Sequence, residues 1–361
     1  MHNKKVCFAA VAFAAPLWVG VVEAHHSITA NFDTSRSVEI RGVVADFKLR
    51  SPHSSLVVDG LVFVDGVQQG DTPERWDIES SAAPGLRARG IDADTFKVGD
   101  GIVVVGAPHR NAALRRANSS DFRTDDGRTF ARQNGSGAPV PVDAVGVYRV
   151  EGRWRPPFQQ EGTRSALPLN EAGLAAWNNY DQTQSPANTC EPMTPPVIFN
   201  APGYFVDIRF NGPEVVVRNQ AYDIVRTVPL TGAAAPADPN GTFGVVSGRI
   251  EGDTLVIESR DYPVSKWGLG AATQINGGGA DVPSSPQKTL TERYSVSEDG
   301  QTLQFEYTLY DPVYMSRPHT ARIPIARVPD DTPMYPYNCD VDAASMFSRD
   351  AGESLLRKGA P

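Results

Sequence analysis

Apolar and polar residues alternate with a period of two along much of this chain, and helical periods are rare. The first alternating run is Val38-Glu39-Ile40-Arg41-Gly42-Val43-Val44, which continues to Leu49. Runs at 55–59 and 61–64 follow, broken at Gly60 and turned at Asp65-Gly66. Arg75-Trp76-Asp77-Ile78-Glu79 alternates cleanly, and a short helical piece fits between Ala82 and Arg89. Lys97-Val98-Gly99-Asp100-Gly101 then turns into the apolar run Ile102-Val103-Val104-Val105, and 122–130 reads as a hairpin around Asp125-Asp126-Gly127. Strand, strand, strand, short helix, strand is the order of a five-stranded Greek-key barrel of the OB type, with its fifth strand at Phe130 or at 145–150.

Residues 131–202 read mainly as connection, with Asn134-Gly135-Ser136-Gly137 and Pro156-Pro157 inside it. One helix interrupts this stretch at 170–180, with Asn170 as N-cap and Leu174 and Trp177 on one face. From 203 to about 328 alternation returns, beginning with Tyr204-Phe205-Val206-Asp207-Ile208-Arg209-Phe210. Hairpins are expected through Glu251-Gly252-Asp253 and Glu298-Asp299-Gly300, with Ile323-Pro324-Ile325-Ala326 closing the set. Successive hairpins make an up-and-down meander, for which a lipocalin-like barrel is the natural comparison. The fold class is therefore mostly β. An OB-like domain at 25–150 is joined by a linker at 151–202, carrying one short helix, to a lipocalin-like domain with a C-terminal tail at 203–361.

The start of the chain follows a different pattern. Lys4 and Lys5 precede an apolar run at 6–22 that ends in Val22-Glu23-Ala24, the form of a secretory signal cleaved after Ala24. Removing residues 1–24 leaves 337 of the 361, a length suited to two domains. It also takes away Lys4, Lys5 and Glu23, so the formal charge moves from −8 to −9. An acidic chain of this kind is a poor partner for nucleic acid, and no later apolar run is long enough for a membrane helix. The expected location is periplasmic or secreted. Cys7 leaves with the leader, and a pair of cysteines in an exported chain, Cys190 and Cys339, reads most simply as a disulfide.

Cleavage after Ala24 would make His25-His26-Ser27 the new N-terminus. A free α-amine beside two imidazoles is a chelate, and a third nitrogen completes a T-shaped brace that suits copper. His25, His26 and His53 are the candidate ligands, with His53 brought in by the turn after the first strand and His109, after 102–105, as a fourth. In the second half, Leu290, Glu292 and Tyr294 share one strand face and Leu303, Phe305, Tyr307 and Leu309 another. An inward Glu292 needs a partner, for which Arg317 is the candidate. Glu292, Tyr294, Arg317 and His319 then outline a possible pocket. The chain contains no G-x-S-x-G, H-E-x-x-H, C-x-x-C or phosphate-binding glycine loop, so the reading leans away from an enzyme.

Ala24-His25-His26-Ser27, the strand at 38–49 and Ser51-Pro52-His53 resemble an uncharacterised family of exported bacterial proteins. Members begin Ala-His-His-Ser and carry Asn-Pro-His at the second place, where Ser51 stands here for Asn. The second half is similar to another uncharacterised exported family. That likeness rests on Cys190-Glu191-Pro192, Glu251-Gly252-Asp253-Thr254-Leu255-Val256, Thr291-Glu292-Arg293-Tyr294, Asp311-Pro312-Val313-Tyr314, Arg317-Pro318 and Cys339. An aromatic residue usually follows that Arg-Pro, whereas His319 does here. Together the resemblances imply the division into two barrels and the disulfide, and they imply no activity. The leading expectation is an exported copper-handling protein. The alternatives are a β-barrel carrying a small apolar molecule or lipid without metal, and a copper-dependent oxidative enzyme.

Overall fold

The computed structural model describes residues 31–131, 139–156, 166–181, 184–200, 203–231, 242–273 and 279–345. The alternating runs of the first half form β1 (Val38–Lys48), β2 (Ser54–Val64) and β3 (Val67–Ser80), and after α1 (Ala83–Arg87) come β4 (Gly101–Pro108), β5 (Arg116–Thr124) and β6 (Thr129–Phe130). The sheet runs β3-β2-β1-β4-β5-β6, and a parallel pairing of β3 with β5 closes the first five strands into a ring. With α1 between β3 and β4, this is the Greek-key order that the sequence implied. Alternate side chains fill the ring, among them Ile40, Val44, Leu56, Val58, Ile78 and Val104. Asp65 at φ 51° and Gly66 at φ 78° make the tight turn between β2 and β3.

Two expectations change here. The fifth strand is neither Phe130 nor 145–150 but β5, and Gly146–Val150 is a 3-10 turn. In β5 the buried positions are Ala117, Ser119 and Phe122; the first two are small or polar and Phe122 falls out of step with them, so no clean alternation marks the strand. Gly60 does not break β2 either. It pairs with Gly42 of β1, and a Cβ on Gly42 would meet the Asp59 carbonyl and stand 2.5 Å from the Gly60 Cα. The two glycines let the strands approach where any side chain would collide.

The second sheet has nine strands. They are β7 (Gly152–Arg155), β8 (Val206–Asn211), β9 (Glu214–Asn219), β10 (Ile224–Pro229), β11 (Val245–Glu251), β12 (Thr254–Arg260), β15 (Thr289–Val296), β16 (Thr302–Tyr310) and β17 (His319–Val328). Every pairing is antiparallel, and the circuit from β7 follows chain order until β17 returns to β7. The result is a nearly closed up-and-down barrel whose open seam lies between β10 and β11. Gly248 of β11 narrows that seam, since a Cβ there would lie 2.8 Å from Val228 Cγ1 and 3.2 Å from the Pro229 carbonyl oxygen.

β7 comes from the stretch read as linker. Its sequence, Gly-Arg-Trp-Arg, carries a single apolar residue, Trp154, which is fully buried in the barrel core. A hairpin of β13 (Ser265–Thr273) and β14 (Gly279–Ser284) leaves the barrel between β12 and β15. α2 (Glu171–Asn178) packs by this hairpin, capped by Asn170 Oδ1, which accepts from Gly173 N at 3.0 Å. Trp177 joins the small core of Leu167, Leu269, Val282, Leu290 and Leu309, whereas Leu174 is exposed.

Cys190 and Cys339 are disulfide-bonded across 149 residues. Closing a loop of that length restricts the unfolded chain by about 5 kcal/mol in the entropy model. No helix among the described residues is long and apolar enough to cross a membrane.

The Gly42–Gly60 contact yields a direct test. Gly42→Ala is expected to destabilise the chain by about 3 kcal/mol through overpacking. Ala at the open turn position Gly66, where no atom lies within 4 Å of the added Cβ, carries only the penalty of its positive φ. Urea unfolding of the two variants measures the difference.

Candidate functional site

In a barrel of this order the loops after β1 and β4 flank one binding face. Here the first loop ends in His53 and the second begins with His109. His53 Nδ1 lies 3.1 Å from Oε1 of Glu79, and the two side chains are 12% and 3% exposed. Glu79 occupies the end of β3, opposite Asn118 of β5. Burial pushes its carboxyl well above the usual range, opposed by a hydrogen bond from Asn118 and the charge of Arg116. The contact sets a buried carboxyl group against Nδ1 of the His53 imidazole, the kind of contact that orients a histidine where its other ring nitrogen ligates a metal.

The turn itself is held by backbone bonds. Ala83 N donates to Arg50 O at 3.0 Å, Ser54 N to Ser81 O at 3.2 Å and Asp340 N to Ser51 O at 2.7 Å. The Ser54 hydroxyl adds a bond to Arg50 O at 3.0 Å. Ser51 and Pro52 are buried.

His109 is built differently. Its Nδ1 accepts from Asn111 N at 3.0 Å, which places the proton of the neutral ring on Nε2. Nε2 is buried and makes no hydrogen bond among the described residues. Burial also holds this imidazole below its ordinary pKa. To ligate through Nε2, His109 would have to surrender its bond to Asn111, so the geometry favours His53 over His109 as a ligand.

His25 and His26 lie outside the described residues. The chain becomes described at Asn31, whose carbonyl accepts from Arg110 N at 2.8 Å, and Phe32 bridges to His109 in antiparallel sense. Asn31 and Phe32 thus lie along the end of β4, whose neighbour β5 pairs in turn with the Glu79 end of β3. Two strand spacings amount to about 10 Å, and the five residues from Asn31 back to His26 span at most about 18 Å. Among the described residues no group of three or more His, Cys, Asp or Glu side chains stands close enough to hold a metal.

Residues 17–117 match the model of a family of unknown function, DUF6152. His25, His26, His53, Glu79, His109 and Arg116 all fall inside that match, and the second barrel falls outside it. This agrees with a first half drawn from an uncharacterised family. Searches of curated proteins and of solved structures found no match.

Of the four residues expected to outline a pocket in the second barrel, Glu292 and Tyr294 stand together, and their cation is Arg226 of β10 rather than Arg317, which is exposed with its guanidinium against its own neighbour Pro318. Arg226 Nη1 lies 2.5 Å from Glu292 Oε2 and its Nη2 3.2 Å from Oε1, while Tyr294 Oη donates to Oε1 at 2.9 Å. β10 and β15 are separated by β11 and β12 around the barrel, so the pair crosses the interior. Phe199 stacks beneath the guanidinium at 4.3 Å. Burial opposes the charge on Arg226, but the Glu292 carboxylate raises its pKa above the ordinary value. His319 is buried at the end of β17 opposite Leu309, beside Tyr307 at 6.3 Å between ring centroids. Burial lowers its pKa, as does Arg317.

Sequence reading missed Glu79, Arg226 and Lys288. Lys288 is wholly buried, and burial lowers its pKa to about 7. Its ammonium reaches Thr194 Oγ1 at 2.8 Å, Pro195 O at 2.6 Å and Gly268 O at 2.5 Å, with the Tyr262 ring at 4.3 Å. These contacts tie Thr194 and Pro195 to β13 through Lys288.

Removing half of the Arg226–Glu292 pair leaves a buried unpaired charge. Glu292→Ala is expected to cost about 3–5 kcal/mol in urea unfolding, and the double variant Arg226→Met/Glu292→Leu to recover most of it.

Proposed function

We propose that this is an exported metal-binding protein of copper-handling type, whose site joins a mature N-terminus at His25 and His26 to His53 on the first barrel. The observation that carries this reading is the His53–Glu79 contact. A buried carboxyl group stands against the imidazole at the end of the loop after β1, on the barrel whose β4 end is bridged by Phe32. An α-amine and imidazoles are nitrogen donors of the type that favours copper over the harder divalent ions. The disulfide accords with an oxidising compartment. The second barrel supports this reading over a ligand-carrying one, since its inward positions are occupied by packed side chains and by the Arg226–Glu292 pair. Its part is to brace the first.

Cu(II) titration followed by electron paramagnetic resonance tests the reading. Processed protein, with intact mass confirming a start at His25, is expected to bind one Cu(II) tightly with a nitrogen-rich signal. One extra Gly before His25 should abolish that signal, and Glu79→Gln should weaken binding by about 10- to 100-fold. Equal binding by the parent, the extended form and His53→Ala would overturn the reading.

A further inference from the structure

The segment that carries one half of the disulfide also holds the turn that presents His53. Cys339 forms an isolated parallel bridge with Ser51, and Asp340 N donates to Ser51 O at 2.7 Å. Arg50 Nη1 stands 3.7 Å from Asp340 Oδ1. Asp340 is itself fixed from its other side, since its Oδ1 accepts from Ala343 N at 2.9 Å and its carbonyl from Ala344 N at 2.9 Å. The His53 turn, two residues beyond Ser51, is therefore backed by the 339–340 segment of the second half.

Besides the packing of Tyr337 against Tyr204 and Tyr222 and the bond from Gln220 Nε2 to Tyr335 O, two ties anchor that segment to the second half. One is the Asp223 carboxylate, which accepts from Tyr337 N at 2.8 Å and Asn338 N at 3.2 Å. The other is the disulfide to Cys190, which sits in left-handed conformation (φ 61°) at the end of the 3-10 turn Pro186–Thr189. Asp223 holds the residues before Cys339, and the disulfide holds the point at which the segment touches Ser51. Both cysteines are only partly buried, so a small reductant reaches the bond.

We propose that the Cys190–Cys339 disulfide is a positioning clamp for the His53 turn, so that metal affinity on the first barrel depends on the redox state of a bond anchored in the second. The proposal rests on the metal reading above. Reduction places two electrons in the S–S bond and two protons on the sulfurs. A phosphine supplies the electron pair and leaves as its oxide, with oxygen and protons from water. The freed 339–340 segment keeps its Asp223 tie, so the expected effect is a weakened site rather than an abolished one.

The test compares Cu(II) affinity in processed parent, His53→Ala and Cys190→Ser/Cys339→Ser, the last carrying no thiol to capture metal. Near-ultraviolet circular dichroism confirms the folded state of each. Tight binding by the parent that depends on His53, with about tenfold weaker binding by the folded disulfide-free form, is the expected result. Equal affinity in the disulfide-free form overturns the clamp and leaves the metal reading standing. Binding that is indifferent to His53→Ala overturns both. Should the double variant not fold, the parent alone decides through its initial rate of reduction by phosphine, with and without bound Ni(II). Metal on His53 is expected to slow reduction several-fold in the parent and not in His53→Ala, and an unchanged rate in the parent overturns the clamp.

Discussion

A carboxyl group taken out of water must be surrounded, and Glu79 sets what stands around it. Its position at the end of β3 calls for Asn118 and so for β5 alongside in parallel, the pairing that closes the first barrel. It also stands against His53, and with it a turn whose backbone is bonded to α1, to Ser81 and to Asp340. The barrel's closure, the histidine's orientation and the joint with the second half therefore converge on one buried acid.

The second barrel handles charge by the same rule with different partners. Arg226 and Glu292 meet across its interior, and Lys288 bonds to one hydroxyl and two carbonyls. These groups fix which walls face one another and leave no charged group of the three open to a ligand. The 337–340 segment is tied to the second half by Asp223 and the disulfide and touches the first barrel at Ser51.

The parts legible in the sequence were those that obey a simple period. β1, β3 and the hairpins of the second barrel declare themselves by alternation, and Pro52-His53 declares a turn. β5 and β7 did not, because each gains its place from neighbours. β5 buries small or polar Ala117 and Ser119, with Phe122 out of step with them, and β7 contributes only Trp154. Glu79 shares its parity with exposed Arg75 and Asp77, so alternation placed it in water, and only the strand lying beside it puts it inside. Glu292 could be read as inward, but its partner could not be chosen. Arg317 was near in sequence, whereas Arg226 is near in space because the meander returns β10 to the seam.

The most direct measurement is a crystal structure of the processed chain with Cu(II), using anomalous scattering at the copper edge to locate the metal. The account predicts a single site, with His53 Nε2 about 2 Å from the copper, Glu79 still behind Nδ1, and the α-amine of His25 among the ligands. Copper absent from the first barrel, or bound with His53 turned away, would contradict it.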